Sequence, residues 1–297
     1  MVPRVKAAAL GAAALLAACS ATPAMAAGKS AGPALWQVTD ADTKIYLFGT
    51  IHLLPEGSHW RTPTLDGAIG QADGLVVEVK LSGDPTQVIQ LISSLGMSPN
   101  LPPLAERVLP DKREALKKMI AASGFPPAFL DRLESWAAAF ILIQVSFQQM
   151  GFKGDLGVES QLTQTYQQAS KPISSLETVE QQLGFFDQLS EEAQRALLVA
   201  GIEDPESGRA EFQRMLKAWL TGDVKGIAAT FDSEMALSPE LRDALMNKRN
   251  AAWADWIQKR LAEPGTIFIA VGAGHLAGPN SVQHMLERKG IKARRLE

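Results

Sequence analysis

Apolar residues recur at two different spacings in this 297-residue chain, and the spacing separates its ends from its middle. Toward both ends, short apolar runs lie between Gly, Pro, Asp and Ser residues, which is typical of strands. From about residue 81 to residue 263, apolar residues return every three or four positions, which predicts helices. The predicted strands are residues 35–39, 44–48, 74–79, 172–176, 266–271 and 291–296. The first two flank the turn Asp40–Asp42 and predict a hairpin.

The helical middle predicts an insertion into a small sheet. Its longest apolar helix, residues 127–150, is too short and too interrupted to span a membrane, so we expect it in a buried core. Two predicted helices start near Thr62–Pro63 and Asp84–Pro85. Eight more are predicted over residues 111–123, 127–150, 156–169, 177–189, 191–202, 208–221, 239–262 and 279–289. The expected fold class is α/β, with α+β as the alternative. The expected boundaries are 28–34 for a linker, 35–297 for a single domain, 35–80 and 264–297 for its sheet core, and 81–263 for its mainly helical insertion.

Residues 1–27 are typical of an export signal. Arg4 and Lys6 precede an apolar stretch, residues 7–18, that is too short to cross a bilayer. Two processing sites fit this segment: cleavage after Ala26, or lipidation of Cys19 in the lipobox Leu16-Ala17-Ala18-Cys19. We therefore expect a protein of the bacterial periplasm or envelope, with a membrane contact only through a lipid on Cys19.

Composition narrows the classes of function. With 46% hydrophobic and 21% charged residues, the chain is typical of a folded globular protein. The formal net charge is −3 and no basic stripe is present, which argues against a nucleic-acid partner. Cys19 is the only cysteine, so the mature body has neither an intrachain disulfide nor a thiol nucleophile. The chain also lacks the motifs of standard zincins, serine hydrolases and P-loop enzymes.

The motif Gly-x-x-His-Leu follows a predicted strand twice, at Gly49–Leu53 and at Gly272–Leu276. Each copy delivers an imidazole, His52 or His275, just past the carboxyl end of a strand, where the sites of open α/β sheets lie. Two converging histidines suit a metal or an acid–base site. The alternative for either motif alone is a structural histidine at a strand end.

Glu78 lies in the otherwise apolar strand 74–79. An unpaired buried carboxylate would cost several kcal/mol, so we expect a metal ion, a histidine or an arginine beside it. At a sheet edge, Glu78 would instead face water. With His52 and His275 it forms a two-histidine, one-glutamate set that resembles hydrolytic metal sites with an open position for water.

Other polar residues have simpler interpretations. Pro55 and Gly57 favour a loop around His59, which makes it a weak candidate ligand. His284 is expected on the surface of a helix, and Glu177 in the first turn of a helix, where an acid is favoured. From spacing alone, Arg249 belongs to a solvated helix face.

At these motifs the chain resembles the TraB/GumN family, whose animal relatives include the TIKI proteases. The resemblance covers roughly residues 35–297, and its specific part is the pair of Gly-x-x-His blocks. Its landmarks are residues 48–55, 60–63, 76–79, 157–159, Leu162, 176–182, 249–250 and 271–278. One departure is Glu159, where an aspartate is expected.

The resemblance implies a metal-dependent peptidase or related hydrolase, distantly similar to erythromycin esterases and haem-binding ChaN-type proteins. It implies a site formed by His52, His275, Glu78 and Arg249, a divalent metal ion as cofactor, and a peptide or protein substrate. In the leading hypothesis the histidines hold the metal ion, and Glu78 is a third ligand or the base for its water. Arg249 would stabilise the oxyanion on the substrate.

Two alternatives remain open at this point. One is a metal-free, esterase-like hydrolase in which a histidine is the general base. The other is a binding protein without enzymatic activity, in which the histidines are axial ligands of haem or contacts to another ligand.

Overall fold

The computed structural model describes residues 32–80, 85–202, 205–235 and 238–297. The predicted export signal, Cys19 and the helix start at Asp84 lie outside the described residues. Within these ranges the strands are β1 (Leu35–Thr39), β2 (Thr43–Thr50), β3 (Gly74–Val79), β4 (Ile173–Glu177), β5 (Gly265–Gly272) and β6 (Arg294–Arg295). They form one mixed sheet in the order β4-β3-β5-β2-β1-β6, which confirms the predicted α/β class.

The two ends of the chain meet in the middle of this sheet. β5 pairs in parallel with β2 on one side and with β3 on the other. β3 also pairs in parallel with β4, while β1 is antiparallel to both β2 and β6. The β1–β2 hairpin is closed by Asp40, whose carboxylate accepts hydrogen bonds from the backbone N–H groups of Asp42 and Thr43. Parallel strands with both faces covered read as continuous apolar runs, as Ile45–Phe48 and Ile267–Val271 do.

Helices cover the sheet and fill the middle of the chain. They are α1 (Pro63–Gln71), α2 (Pro85–Leu95), α3 (Arg113–Ser123), α4 (Pro127–Leu130), α5 (Ser135–Gln149), α6 (Val158–Gln168), α7 (Val179–Asp187), α8 (Glu191–Ala200), α9 (Pro205–Leu220), α10 (Val224–Met235), α11 (Pro239–Arg242), α12 (Lys248–Arg260) and α13 (Val282–Arg288). A π-helical turn, Asp243–Asn247, joins α11 to α12, and a 3₁₀ turn, Ala273–Leu276, follows β5. In the described part of the chain, no helix combines the length and apolar character needed to cross a membrane.

Several predicted boundaries were wrong. The single helix expected over 127–150 is broken between α4 and α5, because the intervening backbone bonds to a neighbouring loop. Glu134 donates to the Gly96 carbonyl at 2.8 Å, and the Arg132 carbonyl accepts from Ser98 at 3.2 Å. The last predicted strand shrinks from residues 291–296 to β6, and α10 was not among the predicted helices.

Alternate residues of the strands point to two different apolar cores. Phe48 and Phe268 belong to one core together with Trp60 and Trp219. Leu47 and Ile269 belong to the other, which packs against α12 and α13. A third cluster lies within the helical middle around Trp136 of α5, as expected for a buried core helix.

Trp219 of α9 packs in the first core and is bonded to the carboxyl end of β2. It is 1% exposed and packs against Phe48 and Trp60, with ring centroids 6.3 Å from each. Its indole N–H donates to the Gly49 carbonyl at 2.8 Å. Gly49 is the first residue of the first Gly-x-x-His motif, so α9 fixes the strand end that carries His52.

Replacing Trp219 with Ala is expected to lower the free energy of unfolding by about 3–5 kcal/mol, because a cavity is left against β2 and the Gly49 carbonyl loses its donor. Phe125→Ala is the control, since this ring is 40% exposed and its loss should cost at most about 1 kcal/mol. Urea unfolding followed by circular dichroism measures both. Equal losses in the two variants would contradict the role of Trp219.

Candidate functional site

The carboxyl ends of three neighbouring parallel strands bring the predicted site residues to one edge of the sheet. The register pairs Thr50 of β2 with Gly272 of β5. His52 follows β2 after one residue, and His275 lies in the 3₁₀ turn directly after β5. Glu78 is the penultimate residue of β3, on the other side of β5.

Gly272 is the point at which these side chains meet. A β-carbon placed on Gly272 would lie 3.1 Å from Oε1 of Glu78, 3.8 Å from Nε2 of His52 and 3.7 Å from Cδ2 of His275. The missing side chain therefore leaves the space that the three groups share. The backbone N–H of Gly272 also donates to Oε1 of Glu78 at 2.6 Å.

Arg249 of α12 is buried in this cluster and all five of its N–H donors are used. Its Nε and one terminal nitrogen each donate to Glu177 at 2.9 Å, as a bidentate pair. The same terminal nitrogen donates to Oε2 of Glu78 at 2.7 Å. The other donates to the Leu245 carbonyl and contacts Nε2 of His275, both at 3.2 Å. A guanidinium has five donors, so none is left for a substrate oxyanion in this arrangement.

His275 is buried and held in one tautomer. Asn250 donates through Nδ2 to the Asn280 carbonyl at 2.8 Å, which turns its Oδ1 toward Nδ1 of His275 at 2.5 Å. Nδ1 therefore carries the proton, and Nε2 accepts from Arg249. Burial lowers the pKa of His275, against the opposing effect of Glu78, so the ring is neutral at neutral pH.

Glu78 is ionised although it is buried. Burial raises the pKa of its carboxyl, but His275, Arg249 and His52 and the N–H of Gly272 act in the opposite sense, and the pKa lies below its ordinary value. Because His275 is itself neutral, the Arg249 guanidinium, protonated His52 and the Gly272 N–H are the groups that hold the carboxylate charged.

His52 is the exposed member of the cluster. Its side chain is 67% exposed, and its Nδ1 lies 2.8 Å from Oε1 of Glu159. Glu159 lies in the first turn of α6 and also accepts a hydrogen bond from the Thr50 hydroxyl. The charge of Glu159 raises the pKa of His52. With Nδ1 facing Glu159, Nε2 is the nitrogen of His52 that faces Glu78.

The close contact between α6 and the His52 turn fixes this pair. A β-carbon on Gly157 would lie only 2.0 Å from the His52 carbonyl oxygen. The next residue, Val158, donates its backbone N–H to the Ile51 carbonyl at 3.0 Å. Glycine at position 157 thus allows the start of α6 to lie against the strand end and to carry Glu159 beside the ring.

The predicted ligands His52, His275 and Glu78 do not form a metal-binding set as they are arranged. Among the described residues, no group of three or more His, Cys, Asp or Glu side chains is placed to hold a metal ion. The physical reason is that Nε2 of His275 faces the Arg249 cation, while its Nδ1 is bonded to Asn250. The divalent metal ion therefore stays a prediction.

The other two histidines and the loop acid Glu56 lie outside this cluster. Glu56 pairs with Lys153 at 2.5 Å. His284 is exposed on α13 and its Nδ1 contacts the Ser281 hydroxyl at 2.7 Å. His59 is exposed in the loop after β2.

Four polar residues of the cluster were not proposed as site residues from the sequence. They are Glu159, Glu177, Asn250 and Gln182, whose amide donates to Glu78 at 3.3 Å. Glu177 was expected in a helix, but it is the last residue of β4, which places it beside β3. All four belong to the landmarks of the family resemblance, and this was the one signal that could have identified them.

Arg249→Met is expected to lower the free energy of unfolding by about 3–5 kcal/mol, because Glu78 and Glu177 would stay buried without their cation. Glu177→Gln should cost less, since Arg249 keeps its pair with Glu78. The control is Lys248→Met, which removes a 73% exposed cation from the same helix. Denaturant unfolding at neutral pH measures all three, and equal stability of the two methionine variants would contradict the role of Arg249.

The sequence of this chain is similar to one known family over most of its length. The profile of the TraB/PrgY/gumN family matches residues 34–295. The uncharacterized protein YbaP of Escherichia coli (strain K12) is 29% identical over 257 residues, which cover 86% of this chain and 92% of that protein. YbaP of Shigella flexneri is 30% identical over 244 residues, which cover 81% and 87%. No solved structure matches significantly. This chain belongs to the TraB/PrgY/gumN family.

Proposed function

We propose that this chain is a hydrolase of peptide or ester bonds in which His52 transfers the protons. The observation that carries the proposal is the orientation of His52. Its Nδ1 is held by Glu159 at 2.8 Å, while its Nε2 and Oε1 of Glu78 lie within 4 Å of the same point beside Gly272. A carboxylate that holds one nitrogen of an imidazole and leaves the other facing the reaction is the arrangement of a general base.

Exposure separates His52 from the other residues of the cluster. Glu78, Arg249 and His275 are at most 9% exposed as side chains, whereas His52 is 67% exposed. A large substrate can therefore reach the His52 ring, and through it the point beside Gly272. The proposed substrate class, a peptide or protein, follows the family resemblance and fits an open site better than an enclosed one.

The proposed reaction uses water as the nucleophile. The base is the neutral form of His52, which becomes more populated as the pH rises toward its raised pKa of about 9. Its Nε2 takes a proton from a water molecule, and the water oxygen bonds to the carbonyl carbon of the substrate. Glu78 accepts the second hydrogen of the same water in a hydrogen bond and orients it. His52 then donates its proton to the leaving nitrogen or oxygen as the C–N or C–O bond breaks. Arg249 positions Glu78 and His275 and does not contact the substrate.

A metal-dependent hydrolase is the second candidate. Two donor atoms, Nε2 of His52 and Oε1 of Glu78, face one point, and a carboxylate behind a histidine is also common at metal sites. Against this candidate, Arg249 contacts the third predicted ligand, His275, at 3.2 Å. The proposed reaction therefore uses the side chains of the protein alone.

His52→Ala is expected to reduce kcat/KM by about 10²–10⁴-fold, because the variant loses its general base. Glu159→Gln should reduce it less, since the ring remains but loses its charged partner. His59→Ala, a nearby exposed histidine, is the matched control and should keep full activity. The substrates are a panel of fluorogenic peptides and p-nitrophenyl esters, assayed before and after exhaustive chelation.

The outcomes of this assay separate the candidates. Turnover that survives chelation and depends on His52 supports the proposed mechanism. Turnover that chelation abolishes and added metal restores favours the metal-dependent candidate. Equal turnover by wild type and His52→Ala would contradict both.

We also propose that the protein acts outside the cytoplasm, with Cys19 as the site of a lipid. In cells fed labelled palmitate, the wild-type chain should incorporate label and partition into detergent, while Cys19→Ala should do neither. Ser20→Ala is the neighbouring control. Unlabelled wild-type protein in the periplasmic fraction would instead indicate cleavage near Ala26.

A further inference from the structure

We infer that the guanidinium of Arg249 occupies the position of a bound cation in this site, and that removing it would open a divalent-metal site formed by Glu78, Glu177 and His275. This inference goes beyond the proposed reaction and does not depend on it. Five acceptor atoms surround the guanidinium, and four of them come from these three side chains.

These four acceptor atoms all lie within 3.2 Å of a nitrogen of the Arg249 guanidinium. Oε2 of Glu78 is 2.7 Å from a terminal nitrogen of Arg249, and the two oxygens of Glu177 are each 2.9 Å from its nitrogens. Nε2 of His275 lies 3.2 Å from the other terminal nitrogen. Carboxylate oxygens and neutral imidazole nitrogens are both ligand types of divalent metal ions such as zinc, cobalt and manganese.

The charge of the cluster explains why it holds a cation. Glu78 and Glu177 are each 7% exposed, so two carboxylates share a buried region. Such a pair needs a nearby positive charge, because desolvated like charges repel strongly. Arg249 supplies that charge from within the chain. A divalent ion added to the same three side chains would lie against the guanidinium and be repelled by it.

The guanidinium is also held firmly in place. Its Cζ lies 4.8 Å from the centroid of the Trp253 ring and 5.8 Å from the centroid of the Phe185 ring. One of its hydrogen bonds goes to the carbonyl of Leu245 in the π-helical turn. A metal ion that displaced Arg249 would break all of these contacts together, so the wild-type cluster should exclude the metal.

Metal uptake without any substrate tests this inference. The purified wild-type chain and its Arg249→Ala variant are titrated with Co²⁺, followed by calorimetry and by the visible absorption of bound Co²⁺. Arg249→Ala should gain one Co²⁺ per chain, bound at least tenfold more tightly than any Co²⁺ on the wild type. The gain should disappear in Arg249→Ala/Glu177→Ala. Lys248→Ala, which also removes one positive charge from α12, should show no gain.

Two results would overturn the inference. One is a wild-type chain that binds one Co²⁺ and loses it on both Glu78→Gln and His275→Ala, since the cluster would then hold a metal ion beside Arg249. The other is a folded Arg249→Ala variant that gains no Co²⁺. If Arg249→Ala does not fold, the wild-type titration still decides, since the absence of Co²⁺ uptake that depends on Glu78 and His275 supports the inference. Hydrolysis is not measured, so the proposed function can fail separately.

Discussion

The buried contact of Arg249 with Glu78 and Glu177 is the interaction on which the site depends. Both carboxylates lie on adjacent parallel strands, at positions that would be apolar in an ordinary sheet. Two ionised groups can stay there because one guanidinium is bonded to both. The same guanidinium also contacts Nε2 of His275, so it fixes the direction of the imidazole that follows β5.

The sheet order explains why this interaction needs both ends of the chain. β5 comes from the C-terminal part and lies between β2 and β3 from the N-terminal part. Glycine at position 272 lets groups from all three strand ends approach one point. The middle of the chain contributes the charged partners: Glu159 lies in α6, Glu177 at the end of β4 and Arg249 in α12. A change in the strand order would therefore separate the histidines from each other and from Glu78.

The sequence predicted the elements that depend on neighbouring residues, but not the contacts between residues that are distant along the chain. The strand ends at Gly49 and Gly272 and the apolar strand around Glu78 are local features, so their elements could be predicted. The partners of Arg249 lie 72 and 171 residues away along the chain, and no spacing rule connects such positions. Arg249 was therefore assigned to a solvated helix face, although it is 7% exposed. The break between α4 and α5 has the same origin, because it depends on backbone bonds to a loop rather than on local propensity.

Arg249 and Asn250, neighbours on α12, contact the two different nitrogens of the His275 ring. Arg249 donates an N–H to Nε2 of His275, and Oδ1 of Asn250 accepts a hydrogen bond from the protonated Nδ1. Both contacts favour the same tautomer of His275, since a neutral imidazole has one donor and one acceptor nitrogen. His275 thus has both nitrogens engaged within the protein. His52 has one nitrogen bonded to Glu159 and the other directed to the space beside Gly272. Two histidines in identical motifs therefore differ in chemistry because of their partners, and His52 is the one placed to exchange a proton with a substrate.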